Sequence, residues 1–199
     1  MKKVIHQIYG IFDDGVKLND IKKYYDAVQK TKAYCKKHGI KHKMWNLKMC
    51  ENLLKKDFKE YYGLWKDFKY PIQKADFIRY CILYKIGGIY IDCDVYPLKN
   101  INHLFKKDYF FVKRTESGPK SFPYNAVMGS KSGQEIFMKI IEHCKESTYE
   151  KQDQKIYETW KGRLVFQTTG QYMLKRVLGQ DKNILNVLCI KNKKKNYDQ

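Results

Sequence analysis

Asp92-Cys93-Asp94 follows directly on the apolar run Ile89-Tyr90-Ile91, so two carboxylates one residue apart stand at the C-terminal end of an expected strand. In open α/β sheets, ligands bind beyond that end of the strands. Residues i and i+2 of an extended chain point to the same side, so Asp92 and Asp94 are expected to approach one centre. Like charges held that close repel each other, and a divalent cation relieves the repulsion. Mn²⁺ or Mg²⁺ suits carboxylate oxygens because all are hard. Such an ion would hold the two phosphates of a nucleotide and neutralise charge developing on a leaving diphosphate. An acidic turn after an edge strand is the plainer reading of the pair. Its setting speaks for the metal: a chain of formal net charge +19, beside the most apolar segment of the sequence.

Asp76 and Arg79 are three apart, so they share one face of the helix expected before that strand, and Gln73 lies on the same face. Charges on a nearly all-apolar helix need partners. They fit a structural ion pair tying the helix to the sheet. They equally fit a pair that binds sugar hydroxyls, the carboxylate accepting and the guanidinium donating. His6, inside an expected strand, reads as a satisfied core histidine rather than a base. Trp45 and Trp65 are core aromatics first, although Trp45 also fits the wall of a base pocket. Trp160 is a candidate for a lid or an acceptor edge. The loop from Arg114 to Tyr124, with Gly118-Pro119 and Pro123, would shape an acceptor pocket. Gln167-Thr168-Thr169-Gly170 is expected to open a helix, whose free N–H groups suit phosphate or take an ordinary cap.

These residues need a frame. Val4 to Tyr9 reads as a buried first strand, and Asp13-Asp14-Gly15 as a turn. Asn19 or Asp20 would cap a helix running to His38, stopped by Gly39. Lys41 to Trp45 is a second strand and Met49 to Tyr61 a further helix. Pro71 marks a helix start. Ile72 to Ile86 is apolar on most sides, as in a buried helix, and Gly87-Gly88 ends it. Phe110 to Val112 and Ala126 to Met128 are expected strands, Gln134 to Glu146 and Gly170 to Leu178 helices, and Ile184 to Ile190 a last strand. The alternation predicts an α/β domain with one mixed, mostly parallel sheet flanked by helices. Residues 1–190 would form one domain, with 191–199 a basic, flexible tail.

Ala75-Asp76-x-x-Arg79-Tyr80, a spacer, then Gly87-Gly88-x-Tyr90-x-Asp92-x-Asp94-Val95 resembles the DXD sugar-binding region of glycosyltransferase family 32. That family includes yeast outer-chain mannosyltransferases and bacterial capsule enzymes, and the catalytic domains of clostridial glucosylating toxins are similar in this region. Ile5-His6-Gln7-Ile8-Tyr9 resembles the first strand of these enzymes, Asn125-Ala126-Val127-Met128 a later Asn-containing strand, and Thr169-Gly170 their Thr-Gly-Pro, with Gln171 in place of proline. The likeness runs over residues 4–178. It implies a GT-A fold, a UDP- or GDP-sugar donor, Mn²⁺ or Mg²⁺, a glycan or protein-linked acceptor, and retention of anomeric configuration without a covalent nucleophile. It also implies roles. Asp76 and Arg79 would hold the donor sugar; Asp92 would contact sugar, ribose or metal; Asp94 would bind metal. Tyr90 would lie near the nucleoside, Ile8 and Tyr9 would line the base pocket, and Asn125 would face sugar or acceptor. The chain departs from the family at Cys189 to Lys195, where members often carry a His and Trp region, so a third protein ligand to the metal is not evident.

The chain has 199 residues, 43% of them hydrophobic, enough for one domain with a core. Its six cysteines form no CxxC pair, and reduced thiols in a cytoplasmic setting are expected. No stretch approaches the roughly 20 apolar residues of a membrane span, and the start of the chain is too polar for a signal peptide. The positive charge favours polyanions: nucleic acid, an acidic membrane face, or nucleotide phosphates. A nucleic-acid-binding protein is the first competing reading, but the lysines form no single stripe and no binding motif is present, so no specific nucleic-acid partner is expected. A metal phosphohydrolase is the second. Phosphatases with a similar Asp-x-Asp pair carry it close to the first strand, with Thr or Val two residues after it, where this mid-chain pair has Tyr96.

Overall fold

The computed structural model describes residues 1–12, 15–113, 123–151, 161–179, 181, 183–186 and 190–192. Strand β1 (Val4–Ile8) leads through a 3-10 turn at Leu18–Asp20 into helix α1 (Lys22–Lys37), then β2 (Lys41–Trp45). Two helices follow, α2 (Leu47–Asp57) and α3 (Lys59–Asp67), and then α4 (Pro71–Ile86). Strand β3 (Gly88–Ile91) and the short β4 (Val95–Pro97) bracket the Asp-x-Asp segment. A 3-10 segment, Asn102–Lys106, precedes β5 (Tyr109–Lys113) and β6 (Pro123–Ser130). Helices α5 (Glu135–Lys151), α6 (Lys161–Thr168) and α7 (Gln171–Leu178) and strands β7 (Ile184–Asn186) and β8 (Ile190–Asn192) complete the described chain.

The main sheet has six strands in the order β2-β1-β3-β6-β5-β7, and β4 pairs with β8 in a separate two-stranded sheet. In the main sheet β6 is antiparallel to both neighbours, β3 and β5, while the other pairings are parallel. The sheet is therefore mixed and mostly parallel, as expected. Period-two alternation divides the side chains between two cores. Ile89 and Ile91 of β3 and Phe110 and Val112 of β5 pack with Ile5, Cys35 and Leu104 on one face. Tyr90 and Phe111 point to the other face, against Phe77, Tyr80, Phe137 and Met173 of the α4, α5 and α7 layer. Buried on both sides, the central strands need apolar residues at successive positions, which is why they read as apolar runs.

Several boundaries differ from expectation. Asp20 caps the 3-10 turn, its carboxylate accepting from Lys17 N at 2.9 Å, so α1 begins at Lys22 with no side-chain cap. The helix expected over 49–61 starts earlier, because the Asn46 side chain accepts from Met49 N at 3.0 Å. It also breaks at Phe58, which leaves helical geometry (φ −145°, ψ 47°). The break lets Leu53 and Leu54 on one side and Tyr61 and Trp65 on the other all reach the core. The single last strand expected over 184–190 is two strands, β7 beside β5 and β8 beside β4, with 187–189 outside the described residues. Lys191 and Asn192, expected to open a flexible tail, pair with Tyr96 and Val95. Residues 167–168 close α6 rather than opening a helix; Gly170 is the N-cap of α7. The five described cysteines are free and buried. The turn at 13–14, most of the loop 114–124, Trp160 and Lys193–Lys195 lie outside the described residues.

Candidate donor site at the end of β3

The turn between α4 and β3 sets the site's register. Gly87 (φ 74°) and Gly88 (φ 109°) adopt backbone that side chains disfavour. A Cβ at Gly88 would also sit 2.6 Å from Val4 Cγ1 and 2.8 Å from Val4 O. Two glycines are therefore what allows β3 to leave the buried helix and run directly beside β1. His6 locks that turn. Its Nδ1 accepts from Trp45 Nε1 at 3.0 Å, so Nε2 carries the proton and donates to Gly87 O at 2.9 Å. Burial, together with Lys43, His42 and Lys2, pushes the imidazole down to about 4 against the pull of the Gly87 carbonyl, and His6 is neutral at pH 7. It is a core histidine, and Trp45 is its core partner.

At the far end of β3, Asp92 N donates to Ala126 O at 2.8 Å, extending the ladder with β6. The chain then turns: Val95 N donates to Asp92 O at 3.0 Å. Gln7 Nε2 and Cys93 Sγ tie the turn to β1, donating to Asp92 O (3.3 Å) and Ile8 O (3.2 Å). The two aspartates face a common space, as expected, but this turn brings them there and not the pleat of an extended strand.

Arg79 reaches the turn from α4. Its Nη1 donates to Asp92 Oδ1 at 3.0 Å and to Asn125 O at 2.9 Å, Nη2 lies 3.1 Å from Asp76 Oδ1, and Nε donates to Ala75 O at 3.0 Å. The guanidinium lies 4.7 Å from the Tyr90 ring centroid, and Tyr90 OH donates to Asp92 Oδ1 at 2.8 Å. Behind Arg79, Asp76 accepts from Asn125 Nδ2 (2.9 Å) and from Thr169 Oγ1 (3.1 Å). Tyr80 OH closes the network on Thr169 O at 2.7 Å. Burial pushes the Asp76 carboxyl up to about 6, against the pull of Arg79. Burial also raises Asp92, with Arg79 and Tyr90 pulling it back and Asp94 adding to the rise. Burial works against the Arg79 charge, but Asp92, Tyr90 and Asp76 outweigh it and hold the guanidinium well above its usual range.

A cavity of about 380 Å³ opens on this cluster, lined by Arg79, Tyr90, Asp92, Cys93 and Asp94 on one side and by Ile8 and Tyr9 on another. Six of the expected site residues thus meet one space. Asp76 and Asn125 do not line it. Asp76 spends both carboxylate oxygens on protein partners, and the Asn125 amide spends its N–H on Asp76 and Tyr80. The expected ion-pair and ligand-binding readings of Asp76 and Arg79 therefore divide between the two: Arg79 faces the cavity and Asp76 holds Arg79. Gln73, expected on the same face, instead donates to Thr168 Oγ1 at 2.9 Å, under α6.

The glycosyltransferase sugar-binding region containing the DXD motif matches residues 7–111 of this chain, from the end of β1 to the middle of β5. The chain belongs to this DXD glycosyltransferase family. A second family, capsular polysaccharide synthesis proteins, matches residues 64–194. An uncharacterized glycosyltransferase of Acanthamoeba polyphaga mimivirus is 30% identical over 141 residues, 70% of this chain and 54% of that protein. A mannosyl phosphorylinositol ceramide synthase of Saccharomyces cerevisiae is 31% identical over 150 residues, 74% of this chain and 37% of that protein. The chain thus spans about half the length of the first relative and about a third of the second. Among solved structures, the PaToxG glycosyltransferase superposes with a TM-score of 0.58 at 18% identity, over 91% of this chain and 70% of that one. The fold is the GT-A type of α/β architecture.

DXD glycosyltransferases generally use a divalent ion, and the chain's own donors bear on where it would bind. Among the described residues no group of three or more His, Cys, Asp or Glu is arranged to hold a metal ion. The two DXD carboxylates are each half engaged: Asp92 receives its bonds on Oδ1, and Asp94 receives Lys23 Nζ on Oδ2 at 2.8 Å. Each has a second oxygen to offer, and hard oxygen donors fit Mn²⁺ or Mg²⁺. With two protein ligands, the rest of the shell falls to water and phosphate oxygens, the usual habit of Mg²⁺. Sequence reasoning missed Lys23, on an exposed-looking lysine-rich helix, and gave Thr169 no role beyond a helix start. It also missed Phe12, Val16, Ile21 and Tyr24, which line the same cavity. Their signal was only that they follow the first strand, the usual position of ligand-binding loops.

Proposed function

We propose that this chain transfers a hexose from a UDP- or GDP-sugar to a glycan, protein-linked or lipid-linked acceptor, with Mn²⁺ or Mg²⁺ and with retention of anomeric configuration. The observation that carries this is the DXD turn: Asp92 and Asp94 border one cavity with Arg79 and Tyr90. Asp92 and Asp94 would hold the ion, which on binding neutralises the diphosphate. Arg79 would donate to the donor sugar or its phosphate, its fork aimed by Asp76 and Asn125 O. Asp76 is then a positioning residue, and so is Asn125, rather than a direct sugar contact. Ile8 and Tyr9 would wall the base pocket and Tyr90 the nucleoside. Retention rests on the resemblance to family 32. Yeast relatives are mannosyl phosphorylinositol ceramide synthases and an inositol phosphoceramide mannosyltransferase, which makes mannose the first sugar to test. No described helix is long and apolar enough to cross a membrane. The chain would work in the cytoplasm, with its lysine surface able to meet an acidic membrane face.

The test is a panel of UDP- and GDP-sugars with Mn²⁺ and no acceptor, read by released nucleoside diphosphate. Slow hydrolysis of one donor is expected, lost with EDTA and lost in Asp94→Asn, while the circular dichroism spectrum of that variant is unchanged. Binding of no donor in the panel would sink the reading. So would unchanged hydrolysis in Asp94→Asn.

A further inference from the structure

Lys23 stands on the second residue of α1, and its ammonium lies 2.8 Å from Asp94 Oδ2, across 71 positions of sequence. Both side chains are half-buried. Asp94 borders two spaces: the donor cavity, and an adjoining pocket of about 260 Å³ lined by Lys22, Lys23, Lys30 and Tyr96. Lys23 therefore occupies a coordination position of the very carboxylate assigned to the ion. The ammonium sits on Oδ2 and leaves Oδ1 to the ion, but two cations held on one carboxylate stand a few ångströms apart and repel, so each weakens the hold of the other. The same end of α1 is also its positive pole: Ile21, the N-cap, lines the donor cavity, no side chain caps the helix, and its first turn holds no acid. The start of α1 thus favours an anion in the donor cavity, beside the carboxylate that holds Lys23.

We propose that Lys23 is an exchangeable counter-ion of the donor site: it neutralises Asp94 in the cation-free protein and turns to a diphosphate oxygen once Asp94 is committed to the divalent ion. This rests on the donor-site reading of the DXD turn. The exchange keeps the site near charge balance in both states and couples ion binding to nucleotide binding. Without nucleotide, Lys23 opposes the ion. With nucleotide, the displaced ammonium has an anion to meet, and the two ligands favour each other.

The experiment compares wild type, Lys23→Met and Lys23→Arg by calorimetry, titrating Mn²⁺ alone and then UDP or GDP with and without Mn²⁺. Lys23→Met keeps the side-chain length at a half-buried position, and thermal unfolding checks its fold. It is expected to bind Mn²⁺ alone about two- to fivefold tighter, because a competitor worth a partly exposed ion pair is gone. It should bind the nucleoside diphosphate about tenfold more weakly in Mn²⁺, so that the coupling between the ligands falls. Lys23→Arg should restore nucleotide affinity. Unchanged affinities for both ligands in Lys23→Met, in a wild type that binds both, overturn the role of Lys23 and leave the donor site standing. A wild type that binds neither Mn²⁺ nor either nucleotide overturns both.

Discussion

Arg79→Met separates the structural from the functional share of the buried charge cluster. In the folded protein Arg79 stands 3.1 Å from Asp76 and 3.0 Å from Asp92, and all but a few per cent of its side chain is buried. At an effective dielectric near 20, each pair attracts by about 5 kcal/mol. Desolvation of the guanidinium offsets most of that, and removing one partner of a buried pair costs about 3–5 kcal/mol in practice. The loss expected for Arg79→Met is about 4 kcal/mol at pH 8, a large part of a typical 5–15 kcal/mol total. The dominant cause is the stranded Asp76 carboxylate, and that cause has a pH signature. Burial already pushes Asp76 up to about 6 from 3.8, and without Arg79 it rises further. A carboxyl raised on folding leaves stability intact below its unfolded value and takes it away as pH rises through the folded one. The deficit of Arg79→Met should therefore be smaller near pH 5 than near pH 8. Adding Asp76→Asn puts a neutral amide where the carboxylate was and should recover about 2 kcal/mol or more at pH 8. Donor binding should stay lost, because the donating fork is gone. Urea unfolding followed by tryptophan fluorescence, with calorimetric donor titration, reads both. A double variant as unstable as the single one, or an equal deficit at the two pH values, would show that the cluster is not held by charge compensation.

Two further outcomes follow from the frame. Gly88→Ala places a Cβ 2.8 Å from Val4 O in a left-handed backbone position, and should cost about 3 kcal/mol or more; a urea midpoint within error of wild type would mean that β1 and β3 do not approach as described. His6 lies near 4 in the fold against 6.5 unfolded, so its contribution is complete above 6.5 and is lost as pH falls toward 4. That loss amounts to about 3 kcal/mol; His6→Gln should flatten the acid side of the stability–pH profile, and an unaltered slope would place the titration elsewhere.

Much of the site was legible because its chemistry is concentrated in one stretch. Residues 71–94 hold the buried helix, the two glycines, the strand and both carboxylates, and local rules read each of them: apolar on most sides, glycine where φ is positive, carboxylates at a strand end. The central strands were legible for the same reason, since burial on both faces demands consecutive apolar residues. Short range also set the limits. The break at Phe58 and the division of the last strand into β7 and β8 depend on which core each segment reaches, not on local propensity. Asn46 is a cap of a type that local rules recognise, three residues before the Met49 N–H that it accepts from.

Which charges answer one another was decided only by tertiary structure. Periodicity puts Asp76 and Arg79 on one helix face but cannot say that Asn125 and Thr169 satisfy the carboxylate while Asp92 takes the guanidinium. Nor can it single out Lys23 among the chain's many lysines as the one at Asp94. Sequence determined the kinds of groups and their order along the chain, because propensity and hydrophobic period act over a few residues. The pairing of buried charges is settled by desolvation, which acts on whatever the fold brings within about 3 Å, however far apart in sequence.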